Sequence, residues 1–398
     1  MRLVDTGTET RGGRRRTWGT VVLSDGSREE YWFEVPADTD AGHRGDSWAI
    51  ALLPLAMSRA EALEIPLPVD SMLLQNLELL QGIWRAWYPA LTPVDLTAPT
   101  ASPSPQGQGV VSCFSGGVDS FFTLIRNHRK FPVGHERRIT GIMLVHGADV
   151  PVDEVGTFDA LRRRYGVLAS EFGVDLIDAG TNFRSGSLGR LSWPDLTHAA
   201  CLAACASSIG ARIGTLLIPS GVPYRFGVRP WGSTPLTDPL FSSSRIRVEH
   251  DGAQSSRPEK IEYLSTHPAV RSHLRVCWRS TTDQNCGRCA KCFRTMAALD
   301  AIGELHAFTA FPRDTYSHAT LAKVYCRSPS EYLQLRLVHG LALSRGRDDL
   351  ARAVSRAIGR SDTMHVARTV VGFLEGPMGR RDLGEYLNRR AVAGAILD

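Results

Sequence analysis

The amino-acid sequence predicts an α/β protein built on a parallel sheet, and three observations predict it. Strand-like and helix-like segments alternate between Gly109 and Pro219. The first of these strands runs into a glycine-rich turn, Ser115-Gly116-Gly117-Val118-Asp119-Ser120, that opens directly into helical periodicity. The segments on either side read differently, β-rich before residue 92 and helical after residue 296. A βαβα alternation argues for parallel strands with helices on both faces, a Rossmann-like arrangement.

The elements follow in order. Thr20 to Val35 reads as a hairpin turning at Asp25-Gly26. Apolar runs near Trp48–Leu53 and Leu63–Leu67 read as two further strands. Leu73, Leu74, Leu77, Leu80, Ile83, Trp84 and Trp87 recur at helical spacing, with Asp70 as N-cap, so 70–87 is predicted as a helix. Residues 1–92 are thus expected to form a small α+β module. The segment 93–108, rich in Pro, Ser, Thr, Gly and Gln, is expected to be a linker. The central domain, 109–296, is predicted to hold strands at 109–114, 139–146, 175–179 and 215–219. Its predicted helices are 120–128, 158–172 and 197–213. The C-terminal region, 297–398, is expected to be helical, with helices at 294–305, 328–344, 348–358 and 364–374.

Composition narrows the function. The chain has 398 residues, 43% hydrophobic, with a net charge of +5. That charge permits an anionic ligand without indicating a nucleic-acid binder. No apolar run is long enough to span a membrane, and no apolar segment follows the basic N-terminus as a secretory signal requires. A cytoplasmic location is therefore expected. A homodimer is compatible with the sequence.

The glycine-rich turn is an anion site in outline. Unpaired N–H groups at a helix start point at a ligand, and the helix dipole favours negative charge. Gly116 and Gly117 let the backbone approach phosphate oxygens, Ser115 and Ser120 add hydroxyl donors, and Val118 continues the turn. A carboxylate at Asp119 would repel bare phosphate but suits a Mg²⁺ ion bridging two phosphates. The loop is not a Walker A motif, since no lysine lies beside it.

The second chemical cluster is Cys277, Cys286, Cys289 and Cys292, four thiolates close together in the sequence. A Cys₄ set binds Zn²⁺ tetrahedrally and leaves no open position, so the site is expected to be structural. Asn285, Gly287 and Arg288 supply the tight knuckle whose N–H groups face sulfur. An iron–sulfur cluster would use the same ligand set. Cys113, Cys201, Cys205 and Cys326 read as buried small residues.

The loop Ser115 to Ser120 resembles the S-G-G-x-D-S signature of the ATP pyrophosphatase (PP-loop) superfamily. Together with Glu259-Lys260-Ile261, Cys277, Cys286-Gly287-Arg288-Cys289 and Cys292-Phe293-Arg294, it resembles the 7-cyano-7-deazaguanine synthase family over residues 109–296. The resemblance implies an adenine nucleotide alpha hydrolase-like fold with a zinc knuckle. It implies ATP, Mg²⁺ and Zn²⁺ as cofactors and a carbon–nitrogen ligase that forms AMP and pyrophosphate. The implied substrate is a small heteroaromatic carboxylate such as 7-carboxy-7-deazaguanine. Asp119, Ser115, Ser120 and Lys260 would then be catalytic, and the whole loop with His146 and Ser220 would bind the nucleotide. Arg294 offers a further charge near the phosphates or a place in the knuckle. Asp238 and Ser220 could face the substrate, and Asp149 and Asp153 the ribose or metal. His146 and His198 also fit capping or core roles.

The chain is about 100 residues longer at each end than that family. Its Trp231-Gly232-Ser233-Thr234-Pro235-Leu236-Thr237-Asp238-Pro239 stretch departs from the family's substrate-facing sequence. It looks like a longer relative from an anti-phage or biosynthetic cluster. Three other functions stay open. One is a ligase joining a deazaguanine-type base to a protein partner docked on the terminal regions. Another is an RNA-modifying or thiolation enzyme using Cys201 or Cys205. The third is a non-catalytic nucleotide-binding subunit.

Overall fold

The computed structural model of the chain describes residues 1–39, 45–280 and 282–375. The last part of the expected helical region, 376–398, lies outside the described residues. The chain packs as two compact units. The first comprises Met1–Ser115, Asp119–Ser220 and Gly227–Ala253; the second comprises Gly116–Val118, Gly221–Phe226 and the chain from Gln254 onward.

The first unit begins with an antiparallel meander of β1 (Arg2–Arg11), β2 (Arg14–Val22) and β3 (Arg28–Pro36). The β2–β3 turn falls at Asp25-Gly26 as expected. Its geometry is set by the Asp25 carboxylate, which accepts from the Ser27 N–H at 2.9 Å and the Ser27 hydroxyl at 2.6 Å. Next come α1 (Asp46–Arg59), β4 (Leu63–Glu64), β5 (Val69–Asp70) and α2 (Ser71–Trp87). Two short strands, β6 (Leu96–Thr97) and β7 (Thr100–Ala101), complete the region.

Two expectations are corrected here. Residues 48–53 are helix, not strand. The run from Ser47 to Met57 is buried on every side, so it carries no periodicity to separate strand from helix, and its length decides for helix. The segment 93–108 is not a free linker. Leu96–Thr97 pairs in parallel with Leu63–Glu64, and Thr100–Ala101 with Val69–Asp70. The cap at Asp70 is as expected: its carboxylate accepts from the N–H groups of Met72 and Leu73.

The parallel core follows: β8 (Val110–Cys113), α3 (Val118–Lys130), β9 (Ile139–His146), α4 (Val155–Phe172), β10 (Asp175–Thr181), α5 (His198–Ile209), β11 (Thr215–Pro219) and β12 (Arg247–Asp251). These join the meander in one ten-stranded sheet, ordered β12-β11-β8-β9-β10-β3-β2-β1-β4-β6. The five core strands are mutually parallel. β3 meets β10 antiparallel, so residues 1–92 extend the central sheet and share its unit. Numbered among themselves, the parallel strands run 3-2-1-4-5 in space, and chain direction across the sheet switches between β8 and β11.

One face of the sheet is covered by α1 and α5, which pack on each other. Ala199, Ala200, Ala203 and Ala204 of α5 and Trp48, Leu52 and Leu53 of α1 are buried in the same core cluster. Each such fully buried Leu or Trp contributes roughly 1.5–3 kcal/mol of transfer free energy.

The second unit is helical among its described residues. It contains α6 (Arg257–Leu264), α7 (Pro268–His273), α8 (Ala290–Ala301), α9 (His318–Leu321), α10 (Pro329–Ser344) and α11 (Asp348–Glu375). The helices expected at 348–358 and 364–374 are one continuous helix. No described helix is long and apolar enough to cross a membrane.

Candidate functional site

The Ser115–Ser120 loop leaves the carboxyl end of β8, at the switch point of the parallel strands. Phe114 anchors its base, edge-on to Phe121 at 5.1 Å and to Tyr165 at 5.2 Å. The Tyr165 hydroxyl donates to the Ser115 carbonyl at 3.4 Å. Ser115 is exposed, and Asp119 is half-buried in the first turn of α3. Val118 and Ser120 are buried. Gly116 adopts φ +72°, a conformation that L residues with a Cβ rarely hold, and its carbonyl accepts from the Arg275 N–H at 2.8 Å. Gly117 carries the turn into the helix.

The middle of α3 is tied to another core strand. Asp251, the last residue of β12, accepts from Thr123 Oγ1 at 2.7 Å and from the Arg126 guanidinium at 2.5 Å, both on α3. Sequence reasoning missed Asp251. β12 reads Arg-Val-Glu-His-Asp, with only Val248 buried, and so lacks a strand's apolar signature.

Two other expected residues flank the loop. Ser220 follows β11, is fully buried, and donates its N–H to the Asp251 carbonyl at 2.7 Å. His146 ends β9, where its ring stacks on Phe158 at 4.3 Å and its Nε2 bonds the Pro151 carbonyl at 3.0 Å. Burial lowers its pKa, which favours the neutral ring.

Asp238 is completely buried. One carboxylate oxygen accepts from Ser233 Oγ at 2.6 Å and His250 Nδ1 at 2.7 Å; the other accepts from the Thr234 N–H at 3.0 Å. The bond to Asp238 fixes a proton on His250 Nδ1. His250 Nε2 is buried and has no partner among the described residues. His250 lies on β12 opposite Ile218 of β11. It was not singled out in the sequence, because a lone histidine in a polar strand gives no pattern.

Lys260 lies on α6, where it is 1% exposed. A capping box closes that helix, with Glu259 accepting from the Ser256 N–H at 2.5 Å. Arg294 is buried on α8. Cys113, Cys201, Cys205 and Cys326 are buried, as expected, and burial raises the thiol pKa of Cys113.

Cys277, Cys286, Cys289 and Cys292 bring four sulfurs within 4.8 Å of one another, and this group could hold a metal ion such as zinc. The individual separations are 3.8 Å for Cys277–Cys289, 4.0 Å for Cys286–Cys292 and 3.5 Å for Cys289–Cys292. Four thiolates at about 2.3 Å from one tetrahedral ion would lie about 3.8 Å apart, so the donor set fits.

Hydrogen bonds brace the knuckle around the sulfurs. Asn285 accepts from the N–H groups of Val276 and Cys277 at 2.8 and 3.2 Å, and donates to the carbonyls of Leu274 and Ala310 at 2.7 and 2.9 Å. Gly287 sits at φ +66°, and a Cβ there would meet Thr315 Oγ1 at 2.3 Å. The N–H groups of Arg288 and Cys292 point at Cys286 and Cys289 sulfur, at 3.4 and 3.5 Å. Sulfur-directed hydrogen bonding, first from Cys292, lowers the Cys289 thiol pKa to about 5.

Comparison of the chain with protein-family models, with curated proteins and with solved structures returns no match.

Proposed function

We propose that this chain is a PP-loop ATP pyrophosphatase that activates a carboxylate by adenylation and then forms a carbon–nitrogen bond. The observation that carries the reading is the place of the Ser115–Ser120 loop. It joins the first parallel strand to its helix at the switch point of a 3-2-1-4-5 sheet, where open α/β sheets bind ligands. Such an order is Rossmann-like, and the loop's sequence resembles the S-G-G-x-D-S signature of ATP pyrophosphatases.

In this reading a carboxylate oxygen attacks the α-phosphorus of ATP. The bond to the bridging oxygen breaks and pyrophosphate leaves. The N–H groups at the start of α3 and the hydroxyls of Ser115 and Ser120 meet its charge. Asp119 would hold Mg²⁺, which would neutralise phosphate charge when bound; one protein carboxylate with substrate phosphates and waters is an ordinary ligand set for that ion. Asp251 acts by position, fixing α3 through Thr123 and Arg126 so that the donors are preorganised. An amine or ammonia then displaces AMP from the acyl-adenylate. The four cysteines would form a structural zinc knuckle, and the substrate class is a small heteroaromatic acid.

The test is product analysis by mass spectrometry after incubation with ATP, Mg²⁺, ammonia and a panel of carboxylates that includes 7-carboxy-7-deazaguanine. AMP, pyrophosphate and an amide or nitrile are expected with one member. ADP and phosphate as the nucleotide products would refute adenylation.

A further inference from the structure

A cleft in the helical unit has no part in the chemistry proposed above. A cleft of about 240 Å³ opens beside Cys289, between the knuckle and the segment preceding α10. Arg279, Arg288, Lys323 and Arg327 line it, with the aromatic rings of Trp278 and Tyr325. All four cations are exposed, and none forms an ion pair among the described residues. The one carboxylate in the lining, Glu331, already accepts the Arg327 N–H at 2.6 Å. Trp278 is 51% exposed, and the Arg279 guanidinium lies 5.1 Å from the centre of its ring.

The cleft combines two features that a ligand could answer. Four like charges around one cleft repel, and an exposed indole forgoes its burial energy. An anion relieves the first cost and a flat ring stacking on Trp278 relieves the second. Single-stranded nucleic acid offers both, since its phosphates are spaced along a backbone and every base has a π-face. An acidic peptide would answer the charge but not the indole. A free triphosphate would suit convergent backbone N–H groups better than four side chains from separate segments around an open cleft.

We infer that the cleft bounded by Trp278, Arg279, Arg288, Lys323 and Arg327 binds a short stretch of single-stranded nucleic acid, with one base stacked on Trp278.

The experiment is fluorescence anisotropy with a labelled ten-nucleotide oligothymidylate lacking a 5′ phosphate, titrated with the zinc-loaded full chain at several salt concentrations. Neutralising up to four phosphates at about 0.7 counterions each gives a log–log salt slope near −3. Arg279→Ala with Arg288→Ala should reduce that slope to about −1.4. Trp278→Ala should weaken binding about tenfold at fixed salt, while Trp278→Phe, which keeps a ring, should restore most of it. Asp119→Ala should bind like the wild type, and the cleft variants should retain pyrophosphate release, so failure here is distinct from failure of the adenylation reading. Absence of binding, displacement at equal concentration by polyglutamate or AMP, or indifference to Trp278→Ala would overturn the proposal.

Discussion

At the scale of single residues, the first unit turns on two buried or half-buried carboxylates with different tasks. Asp251 ties α3 to the end of β12 through Thr123 and Arg126. Asp238 gathers three donors, from Ser233, Thr234 and His250, in a site closed to solvent. Removing such an acceptor leaves several donors buried without partners, each costing about 1–3 kcal/mol. Asp238→Ala should therefore lower unfolding stability by at least about 3 kcal/mol, read from the denaturant midpoint at constant m. A loss below 1 kcal/mol would show that the network relaxes or takes up water. Asp238 was singled out in the sequence as a candidate substrate-facing residue, whereas it is fully buried with both carboxylate oxygens hydrogen-bonded within the protein. Its partner His250 was not singled out, since only the parallel register of β11 and β12 brings it there.

At the scale of elements, the most legible parts were those with a strong period or a chemical signature. The helix at 70–87 announced itself by leucine spacing and a capping aspartate, and the strands 139–146 and 215–219 by short apolar runs. The α1 segment did not, because a helix buried all round has no polar face to set a period. β6 and β7 were hidden because two-residue strands depend on their partners and not on their own sequence. Asp70 does more than cap α2: it also accepts from the N–H of Ser244 at 3.1 Å and from the Ser244 hydroxyl. Asp70→Ala should cost about 2 kcal/mol, and Ser244→Ala about 1 kcal/mol, measured by thermal or chemical unfolding. Equal effects from the two variants would place the tether to Ser244, and not the cap, as the dominant contribution.

The cysteine knuckle is an element of the same kind, readable from spacing alone. Its second layer, the clamp by Asn285 and the close approach of Gly287 to Thr315, was legible only in part, since Ala310 and Thr315 come from a later segment. If zinc ties the knuckle, chelation or Cys289→Ser should lower metal content and melting temperature together. Metal binding should also release protons, because thiolates and not thiols bind. Unchanged stability on complete loss of metal would remove the structural role.

At the scale of the molecule, the alternation of strands and helices foretold the parallel core, and the loop leaves β8 at the switch between β8 and β11, the position at which open α/β sheets commonly bind ligands. The N-terminal meander was foreseen as a separate module but continues the sheet through β3 and β10. That join was not legible, since β3 and β10 pair over two residues each, and the side chains that support the join, Thr181 and Asn182 on the backbone of Trp32 and Glu30, lie about 150 residues away in the sequence. The proposed function rests on the loop as a holder of a metal-bridged diphosphate. Equilibrium binding of ATP with and without Mg²⁺, to the wild type and to Asp119→Ala, addresses this most directly. Saturable binding strengthened by Mg²⁺ and displaced by pyrophosphate is expected for the wild type, with the Mg²⁺ dependence lost in Asp119→Ala. No ATP binding by the wild type, or an undiminished Mg²⁺ effect in the variant, would contradict it.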